Sequence, residues 1–279
     1  MSTEATTEKK IYLWSWEKIE WVPYVYGSEE CNAELTKRGI QVHARAIVGA
    51  SAIVGDGARV GDGARVDARA RVGASAIVGA GAIVGDGARV GDGARVGDGA
   101  RVDARAIVGA SAIVGAGAIV DARAIVGDGA RVGDGAIVGD GAIVGDGAIV
   151  HARAIVHARA RVGASARVGA SAIVGDGARV DAGAIVGDGA RVGSTGEVPK
   201  DTMARCLFIT GTRHSVAYWG EDRIEIGCKV FKIAYWKRMY NNIGDAEGYT
   251  QAEIEEYKGY IDMVEQFHKH AQPKEAHGK

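Results

Sequence analysis

Histidine and cysteine are the side chains of this chain best able to do chemistry near neutral pH, and their placing decides which chemistry is open. Three histidines, His43, His151 and His157, fall inside a tract of extreme regularity, and His214 stands in a Thr-Gly-Thr-Arg-His-Ser run. A histidine acting as general base for group transfer is sought first among these. Of the four, His214 has the setting most like a site, although a histidine in a hairpin turn is more often solvated than catalytic. Three cysteines, Cys31, Cys206 and Cys228, are scattered and odd in number. They fit reduced thiols, and they supply neither a disulfide framework nor zinc-ligand spacing.

One six-residue unit must position most of these groups. From Val42 to Arg191, 150 residues repeat Val, a three-residue corner, Ala, and then Ile or Arg, 25 times without a break. A period this short points to a β-solenoid, each unit one strand and one turn, with stacked neighbours burying a common core. Reading across two units gives Ala-x-Val, as in Ala58-Arg59-Val60. Period-two alternation turns Ala and Val to one face and x to the other. Since x is Arg about as often as Ile, x faces out, because a narrow interior could not desolvate a column of guanidinium groups. The corners change as blocks: Gly-Asp-Gly, Gly-Ala-Ser and Gly-Ala-Gly, or Asp-Ala-Arg and His-Ala-Arg, with Gly expected to supply positive φ.

With Val48, Gly49 and Ala52 as one instance, this pattern resembles the hexapeptide-repeat family. The resemblance implies an all-β solenoid: a left-handed parallel β-helix of three faces, 18 residues per coil and about eight to nine coils. At a strand spacing of about 4.8 Å, eight coils make a rod roughly 40 Å long. On such a rod His151 and His157 occupy successive corners of one coil, and His43 lies six coils, roughly 29 Å, from His151 on the same corner. No pair within one chain can then share a zinc ion with ligand distances near 2 Å.

Three zones follow. Residues 1–41 read as an N-terminal cap of aromatic segment and short helix, residues 42–203 as the β-helix, and residues 204–279 as a C-terminal cap of strands plus two helices. In the first, the apolar run from Ile11 ends at Pro23, and Ser28 is placed to cap a short helix ending near Gly39. In the last, strand-like runs cover Cys206 to Thr210, Val216 to Trp219 and Arg223 to Val230, followed by a helix over Lys232 to Asn241. A second helix starts at the capping box Thr250-Gln-Ala-Glu253. A stacked solenoid ends in unpaired strand edges and a bare core, so Trp14, Trp16, Trp21, Trp219 and Trp236 are expected to lid its ends.

The outward position differs by face. One face alternates strictly, Arg59, Ile77, Arg95, Ile113, Arg131, Ile149, Arg167, Ile185. The second carries Ile119, Ile137, Ile155 and Ile173 in an unbroken row, and the third carries Ile107, Ile125 and Ile143. Such rows are either covered or sticky. The helix from Thr250 could fold over one, and the other is a candidate interface between copies, for which the family resemblance implies a trimer first and a dimer second.

Net charge is −1, there is no basic excess to recruit nucleic acid, no signal peptide, and no apolar run long enough for a membrane span. The expectation is a cytoplasmic chain. In the family, chemistry belongs to acyltransferases and carbonic anhydrases that place catalytic groups on loops interrupting the hexads. The uninterrupted ladder therefore reads as an idealised, engineered structural scaffold, not an enzyme, with no catalytic residue, metal, cofactor or small-molecule substrate. Two alternatives stand beside it: an acetyl-CoA-dependent hexapeptide-type acyltransferase, and a binding module using the cap aromatics or the Arg ladder.

Overall fold

A computed structural model describes residues 10–15, 20–25, 27–43, 45–200, 203–204, 207–219 and 222–271. Two-residue rungs of the form Ile-Val or Arg-Val recur every six residues and stack into three parallel sheets, giving about nine coils. The register is uniform: each residue faces the one 18 positions on, Arg95 against Ile113 and Ile137 against Ile155. Each rung sends N–H groups up to the next coil, Ile119 to the Ala136 carbonyl at 2.9 Å and Asp121 to the Val138 carbonyl at 2.8 Å. The backbone is thus satisfied wherever a further coil follows.

Val and Ala point inward throughout, with Val138, Ala142 and Val144 fully buried. Outside them the Ile and Arg positions stand half-buried or exposed. In this all-small interior neighbouring side chains interlock without polar atoms, so the hexad alone specifies the section of the rod.

The corners divide their work. The third corner residue takes positive φ, +64° at Gly135, but Ser111 and Arg123 do so as well at 57° and 60°. Glycine is therefore not obligatory there, and each non-glycine costs on the order of 1 kcal/mol of backbone strain. The first corner residue lies against the next coil: a Cβ on Gly133 would stand 2.7 Å from the carbonyl carbon of His151. His157 nevertheless occupies that place, and its amide bond to the coil above, 2.8 Å, lies within the 2.6 to 2.9 Å seen at Gly49 and Gly175.

At the N-terminal end, strands Lys10–Ser15 and Glu20–Val25 form a hairpin, and the first of them pairs in parallel with the rung Ala52–Val54. Pro23 does not end the second strand. It sits within it, on the edge of the sheet, where its missing N–H has no partner to lose. Helix α1 (Glu29–Lys37) is capped by the Ser28 hydroxyl, which accepts from the Cys31 amide, and it seats Cys31 and Leu35 on the end of the rod's core. Of the end-lid tryptophans, Trp14 and Trp21 lie in the hairpin strands, and Trp16 lies outside the described residues.

At the other end, strands Leu207–Thr210, Ser215–Tyr218, Arg223–Ile226 and Lys229–Lys232 form an antiparallel meander. What reads in sequence as one run from Arg223 is two strands, because Gly227 turns at φ +61°. Helices α2 (Ile233–Ala246) and α3 (Gln251–Ala271) pack on this sheet, α3 burying Ile254, Tyr257, Ile261 and Val264. So α3 does not lie over an isoleucine row of the rod; its apolar stripe meets the meander, whose own open face it completes. Trp219 is the meander's contribution to the rod, buried against Gly193 and Gly196 of the last corner. Trp236 belongs to the second core and donates its indole N–H to the Ile224 carbonyl at 2.8 Å.

Candidate functional site

The four histidines singled out by sequence are kept apart. His43 is held at the first coil, its Nδ1 2.7 Å from the Asp62 carboxylate, which Arg45 also contacts. His151 stays on a corner of the rod with no aromatic or acidic partner among the described residues. His214 lies in the turn between the first two meander strands, beside a small cavity of about 40 Å³ that Cys228, Glu247 and Tyr249 share. Its surroundings are structural: the Tyr257 hydroxyl accepts from the His214 amide and donates to the His214 carbonyl, at 2.6 and 2.9 Å.

His157 has the richest company. The meander folds against the last coils, strand Ser215–Tyr218 lying over the rung of Arg191, and the junction leaves a cleft of about 140 Å³. His157 and Asp176 enter it from successive corners of one edge, Arg191 and Ser194 from the final coil, and Phe208, Ser215 and Glu225 from the meander. The Arg191 guanidinium lies 4.4 Å above the centre of the Phe208 ring, a cation–π contact that orients it. Glu225 receives the Ser194 amide, yet burial holds its carboxyl above the ordinary value, against the lowering influence of that amide and of Arg191. The edge leading up to His157 is acidic, and Asp121 on it is pushed up first by burial and then by Asp103 and Asp140.

Chemically the cleft combines an exposed imidazole, a fixed guanidinium and a carboxyl biased toward its protonated form, the set from which proton transfer and oxyanion stabilisation are built. Among the described residues no group of three or more His, Cys, Asp or Glu is placed to hold a metal ion, and no helix is long and apolar enough to cross a membrane. His214 and His157 thus each line a hollow, the first with Cys228, Glu247 and Tyr249 and the second with Asp176, Arg191 and Glu225. Sequence favours His214 because its run departs from the repeat, whereas His157 looks like corner text until Glu225 is brought over it.

No family model and no curated protein matches the chain. Solved structures do resemble it. The UDP-N-acetylglucosamine O-acyltransferase of Moraxella catarrhalis is 17% identical at a TM-score of 0.46, over 64% of this chain and 72% of that one. The corresponding protein of Acinetobacter baumannii is 14% identical at 0.45, over 63% and 73%. The acetyltransferase domain of PglB from Neisseria gonorrhoeae is 24% identical at 0.29, over 47% and 59%. At such identities these are likenesses of fold. The expectation of a non-catalytic scaffold is corrected to this extent: the solved proteins that share the fold are themselves named as acyltransferases and acetyltransferases. No loop interrupts the rod among the described residues, and the meander supplies the wall that faces its last coils. By fold, the chain is a parallel β-solenoid of about nine turns with 18 residues per coil, consistent with the left-handed β-helix of the hexapeptide-repeat proteins it resembles, and closed at its C-terminal end by strands and helices.

Proposed function

We propose that the chain is an acyltransferase of the hexapeptide-repeat type working in the cleft at the end of the rod. One observation carries the reading: His157, Arg191 and Glu225, from three separate elements, line one cleft. In the proposed step the His157 imidazole takes the proton of an acceptor hydroxyl or amine as that atom attacks the carbonyl carbon of an acyl thioester. The new acyl bond forms, the carbon–sulfur bond breaks, and the departing thiolate receives the proton back from the imidazolium. Arg191 faces the charge that gathers on the carbonyl oxygen, and Glu225 lines the side of the cleft from which the acceptor enters. About 140 Å³ is room for the reacting groups and not for a whole nucleotide, whose remainder would lie along the rod outside.

The test is titration of the full chain with acetyl-CoA, followed by transfer assays with amino-sugar acceptors. Saturable binding with turnover is expected, and His157→Ala should reduce turnover about a hundredfold while leaving binding intact. Absence of saturable binding, or equal turnover by the variant, overturns the reading.

The division at residues 41 and 203 into cap, rod and cap belongs to the same proposal, as does the role of the tryptophans as end lids. So does assembly through the isoleucine rows, a trimer before a dimer; Ile125, 38% exposed in the middle of its row, is what supports a further contact there.

A further inference from the structure

We propose that the face on which arginine and isoleucine alternate binds a linear acidic polysaccharide that carries its charge on alternate sugars. The rungs of this face are in strict register, Arg59 against Ile77, Ile77 against Arg95, and so on to Arg167. The four guanidinium groups of Arg59, Arg95, Arg131 and Arg167 therefore stand two rungs apart, at about 9.6 Å, along a row roughly 29 Å long.

These charges are not neutralised by the protein. On the other faces an arginine that is followed two residues later by Asp is paired with it, Arg65 with Asp67 at 3.2 Å and Arg101 with Asp103 at 3.3 Å. On this face the same place holds Gly61, Gly97, Gly133 and Gly169, and none of the four arginines makes an ion pair among the described residues. Corner carboxylates on the edge that follows this face have partners of their own. Asp98, Asp134 and Asp188 accept the amides of Ala80, Ala116 and Ala170, one coil earlier, at 2.8, 2.9 and 2.7 Å. Asp62 is taken by His43 and Arg45.

Along this face charge and apolar side chain alternate on the nanometre scale, and at its N-terminal end Arg59 and Ile77 also line a hollow with Asn32, Leu35 and Thr36 of α1. A polysaccharide with a carboxylate or sulfate on every second sugar repeats its charge on the same scale. Its anions can meet guanidinium forks while the apolar ring faces of the intervening sugars lie on Ile77, Ile113 and Ile149. Nucleic acid fits less well, since its phosphates follow one another at about 3.4 Å of axis per strand. This face contributes no residue to the cleft, so its reading stands or falls independently of acyl transfer.

The experiment is titration of the full chain at low salt with hyaluronan oligosaccharides, which carry a carboxylate on alternate sugars, beside single-stranded DNA of equal charge. Saturable hyaluronan binding that weakens with salt is expected, with DNA binding more weakly. The variant R59Q/R95Q/R131Q/R167Q should lose about tenfold or more in affinity, while R71Q/R89Q/R161Q, which removes unpaired arginines of irregular spacing from another face, should stay within about twofold. Melting curves verify that both variants are folded; if the quadruple variant is not, Arg131→Gln alone should cost about twofold. No hyaluronan binding, equal losses in the two variants, or tighter binding of DNA overturns the proposal.

Discussion

At Glu225 burial outweighs two favourable partners, and the result is a carboxyl held above its ordinary pKa. A group whose folded-state pKa is raised contributes stability below its unfolded pKa and loses it as pH rises through the folded one. Glu225→Gln should therefore match the parent's melting temperature on the acid side of the carboxylate range and exceed it above that range. Melting scans across pH check this, and parallel profiles would refute it. Single residues also show where legibility stops. The aspartate of a Gly-Asp-Gly corner reads as turn chemistry, but Asp128 and Asp134 accept the amides of Ala110 and Ala116, 18 residues back. That bond appears only when a coil closes. His157 is equally opaque, because nothing near it in sequence announces Arg191, Ser215 or Glu225.

Whole elements were more readable where their signals are local. The Thr250–Glu253 box closes as written, with the Thr250 hydroxyl accepting from the Glu253 amide at 3.3 Å and the Glu253 carboxylate receiving the Thr250 amide at 2.7 Å. Helix α2, by contrast, runs on to Ala246 past the Asn241 suggested by sequence. Gly244 is the point where Ile254 of α3 packs against α2, and a Cβ there would stand 2.6 Å from the Ile254 side chain. One hydroxyl of α3 ties it to the turn at His214. Tyr257 accepts the Arg213 and His214 amides at 3.0 and 2.6 Å and donates to the His214 carbonyl. Tyr257→Phe leaves those amides without that acceptor and should cost about 1–3 kcal/mol. Denaturant titration followed by tryptophan fluorescence, which reports Trp219 and Trp236 at this end, measures it; an unchanged midpoint would show that water replaces the hydroxyl.

On the scale of the whole molecule, the rows Ile119 to Ile173 and Ile107 to Ile143 lie on adjacent faces, and α3 is engaged elsewhere. If they join copies of the chain, Ile137→Arg with Ile155→Arg should reduce the mass in light scattering to that of one chain while the β-sheet circular dichroism persists. An unchanged mass would assign those residues to β-propensity alone. The sequence by itself determined the rod. Its hexad sets the inward Val and Ala, the corner and the rung, and identical units can satisfy one another's backbone only by stacking in register, so short-range text suffices. Only the tertiary structure decided how the rod ends. Ala217 and Trp219 bury themselves on the last coil, and that packing brings Glu225 and Ser215 across from His157. Contacts between elements so far apart in the chain depend on the shape of both surfaces, and no periodicity encodes them.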